Sequence, residues 1–415
     1  METFIVLVIF SFLIVNFGVN LFLSILNYKN RNAKIPEELV DIYDMEKYVD
    51  WKNYYMENFF LQLISSSINF IIILMFLSLS IFNKLYTFAT DITMNVPHQS
   101  LIVIGFYFLI NYVIDLIFSY YSVFTIENKY GFNKMTKKTF IIDKIKSLIL
   151  TIIFGGGAVY GIVQLYLSSG NLFFFIAWGS SILIMLFINI SYTKLFVPLF
   201  NKLRPLDDSP LKDKIYAFAE KVGYEISKIS VIDASKRSTK LNAYFSGFGK
   251  VKRIVLYDTL IEKMSEEEII AVLAHEIGHN KHKHIIFNLI QMVLMLSIYM
   301  LGIMIFLDNE VFSLAFDFSE ISYGFNLILY MIFLSVVTLI INIPLSYISR
   351  KFEYQADAYA AQNYSDEMLI SALKVLSREN FSNLTPHPLY VKFYYSHPPL
   401  KERIANIKSL KKDKS

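Results

Sequence analysis

The stretch from residue 265 to residue 284 reads "SEEEIIAVLAHEIGHNKHKH" and holds four of the seven histidines in a chain of 415 residues. Ser265 and Glu268 have the spacing of a capping box, which predicts a helix that begins near residue 266. His275 and His279 are four residues apart, so both imidazoles project from one face of that helix. The stretch therefore predicts a helix that presents two metal ligands side by side.

Glu276 completes the pattern His-Glu-x-x-His, in which two imidazoles bind zinc and the glutamate acts as a general base. A set of surface histidines at a basic helix end is the alternative interpretation, but the apolar neighbours Leu273 and Ile277 favour a buried helix. His282 and His284 do not continue the spacing of four, so we expect them to be solvated or interfacial and not to bind the metal.

A third ligand is needed, because a hydrolytic zinc site uses three protein ligands and keeps one position open for water. The stretch "SRKFEYQADAYAAQ" (349–362) places Glu353 and Asp357 four residues apart on a predicted helix. Glu353 is the candidate ligand and Asp357 the candidate hydrogen-bond partner of a ligating histidine. Carboxylates at this spacing are usually a solvated helix face, but two intervening apolar stretches form an out-and-back hairpin that can return Glu353 to the histidines.

The composition predicts a polytopic membrane protein, because 55% of the residues are hydrophobic, only 18% are charged and the mean hydropathy is +0.45. A membrane span needs about 20 apolar residues of helix. The glycines at 155–157 predict a kinked or tightly packed fourth span. Seven candidate spans occur, at residues 3–26, 59–82, 101–125, 147–168, 171–199, 285–307 and 325–348.

Loop charges predict the orientation of these spans. Segments 27–58 and 126–146 hold five and six Lys/Arg, whereas the two loops expected on the opposite side hold one or none. Because basic loops stay in the cytoplasm, the amino terminus is predicted to lie outside and segments 200–284 and 349–415 inside. This topology explains the formal net charge of +4, so we expect no nucleic acid partner. The absence of cysteine excludes disulfides and thiolate metal sites.

The predicted fold class is a mostly α integral membrane protein, in which seven transmembrane helices carry a cytoplasmic zincin-type α+β metalloprotease domain split by helices six and seven. A helix is expected from Ser209 to Gly223. The runs "KISVIDAS", "LNAYFSGFG" and "VKRIVLYDTL" predict a small sheet, the last two joined around Gly249 and Lys250 like a hairpin. The predicted domain bounds are 1–199, 200–284, 285–348 and 349–415.

The stretch "YYSHPPLKERI" (394–404) adds His397 and Arg403 to the second cytoplasmic segment. Either side chain can stabilise an oxyanion. A proline-bounded helix start with Arg403 in a surface ion pair is the alternative. In the enzymatic interpretation, Glu276 accepts a proton from metal-activated water, and the edge of the small sheet aligns an extended peptide by main-chain hydrogen bonds.

At these residues the chain resembles the type I CAAX prenyl protease family, the seven-span zinc endopeptidases that process prenylated proteins. The likeness extends from about residue 1 to residue 410, in the family's order. Besides "HEIGH", it rests on "IENKYGFNKMT" (126–136), "FVPLFNKLRPL" (196–206), "LNAYFSGFGKVKRIVLYDTLI" (241–261), "SRKFEYQADAYA" (349–360) and "SHPPLKERI" (396–404).

The resemblance implies one catalytic zinc ion. Its ligands are His275, His279 and Glu353, with Glu276 as the base and Asp357 as the partner of a ligating histidine. The partners implied are the lipid bilayer and a peptide or protein substrate, either lipidated at its carboxyl terminus or unmodified.

The resemblance also implies that His397 and Arg403 contact the transition state or a substrate carbonyl, and that Asn242 and Tyr244 line the peptide groove. It further implies a water-filled chamber between the spans, with hydrogen bonding between helices as the alternative role of each polar span residue. These residues are Asn69, Asn111, Asp115, Asn189, Asn288 and Gln291.

Two departures from the family's eukaryotic pattern bear on location and substrate. Asn280 stands where an aromatic residue often follows the second histidine, and Asp413 interrupts the terminal "KKDKS". With the cysteine-free composition, these favour a bacterial inner membrane over the endoplasmic reticulum. A bacterial member is expected to process unmodified peptides or membrane proteins.

Two other functions are open on the sequence. The first is a quality-control membrane zinc protease without a prenyl requirement, of a type that has four spans and lacks the five that precede the catalytic segment. The second is a seven-span transporter or receptor with a regulatory metal site. A transporter is expected to carry paired charges along its path, whereas the spans here show Asp115 as their one acid, with no basic partner inside a span.

Overall fold

The computed structural model describes residues 1–246 and 253–412, and most of them are helical. Seven helices in this part of the chain are long and apolar enough to cross a membrane, which confirms the predicted number. Most extend beyond the predicted apolar stretches, because polar turns continue the helices at their ends. The seven are Glu2–Asn30, Met45–Ser78, Val96–Glu127, Lys137–Ser169, Phe173–Phe200, His284–Leu307 and Tyr323–Glu379.

Short π-helical turns lie within several of these spans. The turn at Ile152–Gly156 contains two of the three glycines that predicted an irregular fourth span. The α-helices are α1 (Glu2–Asn30), α2 (Met45–Ser78), α3 (Ile81–Ile92), α4 (Val96–Tyr121), α5 (Lys137–Thr151), α6 (Gly157–Ser169), α7 (Phe173–Ser191), α8 (Val197–Phe200), α9 (Pro210–Lys221), α10 (Asp258–Lys263), α11 (Glu266–Lys281), α12 (His284–Leu307), α13 (Glu310–Leu314), α14 (Tyr323–Ala360), α15 (Asp366–Glu379), α16 (Pro388–Tyr394) and α17 (Leu400–Lys412).

A four-stranded sheet lies beside the histidine helix, in the order β1-β2-β4-β3. Its strands are β1 (Leu203–Pro205), β2 (Lys228–Ile232), β3 (Ala243–Ser246) and β4 (Arg253–Tyr257). The three predicted strands are confirmed, and β3 pairs antiparallel with β4 as expected for a hairpin. The predicted turn at Gly249 and Lys250 lies outside the described residues. The sequence did not indicate β1, because three residues that include a proline carry almost no strand pattern.

The predicted helix ends are also confirmed. Ser209 caps α9 by accepting from the amide of Lys212. Ser265 and Glu268 form both hydrogen bonds of the capping box at the start of α11. Leu273 and Ile277 of α11 are almost fully buried in one hydrophobic core with β2, β4, α9 and α15. This burial excludes the alternative of a surface helix, and it holds α11 against the sheet.

Helix α14 connects the membrane part to the site without a break. It runs for 38 residues from Tyr323 to Ala360 and continues through Pro344. Because its second half packs against α11, the membrane hairpin of α12 and α14 returns the chain to the histidines, as the sequence predicted. The predicted bound at residue 348 falls inside this helix, and the division into four segments stays a prediction.

Candidate metal centre

The histidine helix α11 crosses α14 at Gly278. A Cβ atom at this position would lie 3.0 Å from Ala356 Cα and 3.1 Å from the carbonyl oxygen of Ala356. A side chain here would force one of the helices to move, since the nearest atoms, the backbone of Ala356 and the Cβ of Tyr359, cannot rotate away. Glycine therefore allows the close crossing that brings His275 and His279 opposite Glu353.

Three potential ligand atoms converge at this crossing. His275 Nε2 lies 3.1 Å from His279 Nε2 and 3.5 Å from Glu353 Oε2, and His279 Nε2 lies 3.2 Å from Glu353 Oε1. A tetrahedral zinc ion with ligand distances of about 2.0–2.2 Å separates its ligand atoms by roughly 3.3–3.6 Å. Glu353 Oε2 is buried and accepts no hydrogen bond of good geometry, although His397 Nδ1 lies 2.7 Å away, so its lone pairs can point to a cation. The donor set thus fits a metal ion.

A charged pair supports the far side of His275. Its Nδ1 lies 2.8 Å from Oδ1 of Asp357, which is fully buried. Arg403 donates to both oxygens of that carboxylate, from Nε at 2.8 Å and from Nη2 at 2.6 Å. A hydrogen bond from Nδ1 to a carboxylate fixes the imidazole so that Nε2 is free to bind a metal. Asp357 therefore lies where the sequence predicted a partner for a ligating histidine.

The second candidate ligand, His279, contacts His284, and this contact contradicts an expectation from the sequence. His284 was expected to be solvated or interfacial, but only 3% of it is exposed and its Nδ1 lies 3.0 Å from His279 Nδ1. Its Nε2 lies 2.8 Å from Gln355 Oε1. The expectation was wrong because α11 ends just before this residue and the chain turns, so helical spacing no longer decides where His284 points. His282 is exposed, as expected.

Glu276 lies on α11 between the two histidines. Burial raises the pKa of its carboxyl group above the ordinary value, while the imidazoles of His275 and His279 act in the opposite direction. A carboxylate with a raised pKa is a better proton acceptor, which suits a general base. The local environment of Glu276 is therefore compatible with the role predicted from the sequence.

His397 and Arg403 lie on one side of Glu353, next to a cavity of about 430 Å³ that both of them line. His397 is exposed, and its Nδ1 lies 2.7 Å from Glu353 Oε2. Arg403 is mostly buried, and its Nη1 lies 3.6 Å from the same oxygen. Two of the Arg403 nitrogens are engaged by Asp357, so this side chain is a structural partner of the site whether or not it also contacts substrate. A surface ion pair, the alternative role of Arg403, is excluded by this burial.

Tyr244 lies on β3, at the edge of the sheet, and Asn242 lies just before this strand. The Asn242 carbonyl accepts from the amide of Tyr257, and the half-buried Tyr244 packs against a small core around Val255. Burial raises the pKa of the Tyr244 hydroxyl to about 12. Because β3 ends the strand order, one side of its backbone is unpaired within the described sheet.

Asn380, which the sequence did not single out, holds the segment that leads into β3. Its side-chain oxygen accepts from the amide of Leu241 at 2.8 Å, and its side-chain nitrogen donates to the carbonyl of Leu241 at 3.1 Å. This pairing reproduces the hydrogen bonds of a neighbouring strand. Asn380 also lines the cavity beside His397, so one side chain contacts both this cavity and the segment before β3.

Two of the six polar span residues make hydrogen bonds within their own helices. Asn111 and Asn189 donate to carbonyls of their own helices, and Asn69 has a buried side-chain oxygen without a hydrogen-bond partner. The prediction that Asp115 has no basic partner inside a span is wrong, because Lys144, which lies in the fourth membrane helix, is 3.2 Å away. Lys144 belongs to a helix that begins before the predicted apolar stretch, so the sequence assigned it to a loop. The water-filled chamber stays a prediction.

Seven membrane helices with a His-Glu-x-x-His helix and a returning carboxylate define a membrane metallopeptidase. Comparisons with known proteins agree with this class. The family model described as Peptidase family M48 matches residues 205–411. The model described as "CAAX prenyl protease N-terminal, five membrane helices" matches residues 24–202.

Individual relatives cover between 71% and 97% of the chain. CAAX prenyl protease 1 of Saccharomyces cerevisiae is 33% identical over an alignment of 428 positions, which covers 96% of this chain and 94% of the yeast protein. A CAAX prenyl protease 1 homolog of Arabidopsis thaliana is 37% identical over 296 residues, 71% of this chain and 70% of that protein. The crystal structure of S. mikatae Ste24p matches with a TM-score of 0.90 and 33% identity, over 97% of this chain and 98% of that chain.

The chain therefore belongs to the type I CAAX prenyl protease family, within peptidase family M48. It is a multi-pass membrane metalloendopeptidase, as the sequence predicted. The family implies a metal ion, and His275, His279 and Glu353 are the candidate group for it. The five helices before the catalytic segment exclude the four-span protease type. Membership in a peptidase family removes the transporter or receptor alternative, although the pair of Asp115 and Lys144 is of the kind that alternative required.

Proposed function

We propose that this protein is a zinc endopeptidase that cleaves peptide bonds near the carboxyl terminus of prenylated, CAAX-type proteins. The observation that carries the proposal is the convergence of three ligand atoms, two imidazole nitrogens and a carboxylate, at separations that suit a tetrahedral ion. The names of the relatives support the substrate class, since the yeast protein, which matches 96% of this chain, is named CAAX prenyl protease 1.

We assign His275, His279 and Glu353 as the ligands. Two neutral imidazoles and one carboxylate are a ligand set typical of zinc. Calcium and magnesium favour sites made of oxygen ligands alone. When bound, zinc supplies Lewis-acid activation of water and of the substrate carbonyl. The absence of cysteine is consistent with such a site, which needs no thiolate.

The remaining roles belong to side chains around the ligands. Glu276 accepts the proton of the attacking water and returns it to the departing amine. His397, exposed at the cavity beside Glu353, donates a hydrogen bond to the negative oxygen that develops on the substrate. The positive charge of Arg403, which lies beside Glu353 and Asp357, further stabilises this negative oxygen. Asn242 and Tyr244 lie along the free edge of β3, where an extended peptide adds as a further strand by main-chain hydrogen bonds.

A hydrolysis assay on the purified full-length protein tests this function. A farnesylated CAAX peptide and its unmodified counterpart are compared as substrates, with wild type and Glu276→Gln. We expect faster cleavage of the farnesylated peptide, and a loss of about 10²–10⁴-fold in turnover for Glu276→Gln with zinc still bound. Full turnover by Glu276→Gln would refute the assigned base. Equal cleavage of both peptides would instead support the prenyl-independent alternative.

We further propose that the amino terminus lies outside and the metal centre faces the cytoplasm, as the basic loops indicate. The chain has no native cysteine, so a single cysteine introduced into loop 308–324 is a clean reporter. We expect it to react with an impermeant reagent added from outside. Labelling from the inside alone would overturn this topology. The relatives named above are eukaryotic, so the bacterial inner membrane, which was predicted from Asn280, Asp413 and the composition, stays a prediction.

A further inference from the structure

We infer that His284 is a positioning residue, which orients His279 for metal binding through a one-way chain of hydrogen bonds that ends at Gln355. The inference rests on the proposed metal centre and deepens it. His284 belongs to none of the roles assigned above, and it lies outside the His-Glu-x-x-His spacing.

The direction of the chain follows from the ligand role of His279. An imidazole that binds a metal through Nε2 carries its hydrogen on Nδ1, and here Nδ1 of His279 lies 3.0 Å from Nδ1 of His284. His284 Nδ1 must therefore accept, which leaves the hydrogen of His284 on Nε2. That nitrogen lies 2.8 Å from Gln355 Oε1, an oxygen that can only accept. Each hydrogen bond thus fixes the tautomer required by the one before it.

The backbone and the packing hold His284 in place. Lys283 adopts φ +59°, a left-handed conformation that is unfavourable for a residue with a side chain, and it turns the chain between α11 and α12. Immediately after this turn, the His284 ring stacks on Phe352 of α14 at a centroid distance of 4.0 Å and an interplanar angle of 13°. The His284 ring therefore packs the junction between α11 and α12 against α14, the helix that carries Glu353.

The two ligating histidines consequently receive different support. His275 faces the carboxylate of Asp357, which is itself paired with Arg403. His279 faces the neutral ring of His284. A charged acceptor forms the stronger hydrogen bond, so the loss of His284 should weaken metal binding less than the loss of Asp357.

Two substitutions of His284 separate hydrogen bonding from packing. His284→Phe keeps a ring that can stack on Phe352 but removes the acceptor. His284→Asn removes the ring but places a side-chain oxygen near the position of Nδ1. The exposed neighbour His282 stacks on the His284 ring at a centroid distance of 5.6 Å, and His282→Phe, which keeps a ring there, is the matched control.

Zinc affinity is measured on the full-length protein in detergent by competition with a chromogenic chelator, and the visible spectrum of the Co²⁺-loaded protein reports the geometry of the site. We expect His284→Phe to weaken zinc binding about 10–100-fold and to change the Co²⁺ spectrum. His284→Asn should retain most of the affinity, and His282→Phe all of it.

Wild-type affinity in His284→Phe, or an equal loss in His284→Phe and His284→Asn, would overturn the inference, because packing or global damage would then explain the data. If wild type itself bound no zinc, the proposed metal centre would fail first and this inference with it. The two failures are therefore distinguishable.

Discussion

The histidine helix α11 and its crossing with α14 contribute to the same site in different ways. Within α11 every feature is local, since the capping box, the four-residue spacing and the buried face all follow from neighbouring residues. At the crossing, Gly278 meets Ala356, and His275 meets Glu353 and Asp357, which lie more than a full membrane hairpin away in the sequence. A local motif can thus supply two ligands and a base, but the crossing decides whether a metal centre forms.

The substitution Glu353→Ala removes the ligand that the crossing contributes and leaves α11 intact. We expect it to abolish stoichiometric zinc binding and to reduce peptide hydrolysis to background, because two imidazoles alone do not hold a catalytic zinc ion. Elemental analysis and the peptide assay measure both effects. Glu402→Ala, which removes an exposed carboxylate that accepts from Tyr354, is the control and should retain both. Full zinc content in Glu353→Ala would show that the crossing does not contribute a ligand.

The substitution Asp357→Asn keeps the shape of the side chain and removes its charge. It leaves Arg403 buried without its carboxylate and weakens the support of His275. We expect zinc affinity to fall about 10–100-fold, and thermal stability to fall because the loss of a hydrogen-bonded carboxylate beside a buried charge is costly. Chelator competition and thermal unfolding in detergent provide the two values. Unchanged zinc affinity would mean that Asp357 pairs with Arg403 but does not support His275 as a metal ligand.

The substitution Gly278→Ala tests the approach of the two helices itself. Its Cβ would meet the backbone of Ala356 at 3.0–3.1 Å, so one helix must move. We expect a loss of about 1–3 kcal/mol of stability, with weaker zinc binding as the ligands separate. Gly161→Ala in α6 is the matched control, because a Cβ there meets nothing within 4 Å. Equal stability of the two variants would argue against a tight crossing.

The substitution Ser265→Ala tests the local side of the comparison. It removes the capping hydrogen bond at the start of α11, far from the crossing. We expect a loss of about 1 kcal/mol in stability and no change in zinc affinity. A loss of zinc affinity as large as that of Asp357→Asn would show that the helix start and the crossing are not separable.

The same comparison explains how much could be predicted from the sequence. The seven spans and the start of α11 were predictable, since hydropathy and capping act over short distances. Glu353 was predictable because two spans in succession must bring the chain back to the same side of the membrane. These inferences need the order of elements, but not their exact packing.

Gly278, His284 and Asn380 could not be found in this way, because each depends on packing or on a turn. The role of Gly278 becomes visible only when α14 lies against it. His284 reaches His279 through the left-handed turn at Lys283, a conformation that the residue type does not favour. Asn380 pairs with Leu241 across 139 positions of the chain. For Gly278 the sequence did carry one signal. Glycine is costly inside a helix, so its presence in the motif indicates close packing at that position.

Anomalous X-ray diffraction at the zinc absorption edge, from crystals of active full-length protein, tests the central claim most directly. The account predicts one zinc peak per chain, bonded to Nε2 of His275, Nε2 of His279 and the carboxylate of Glu353. Active protein without such a peak, or a peak that lacks Glu353 among its ligands, would contradict it.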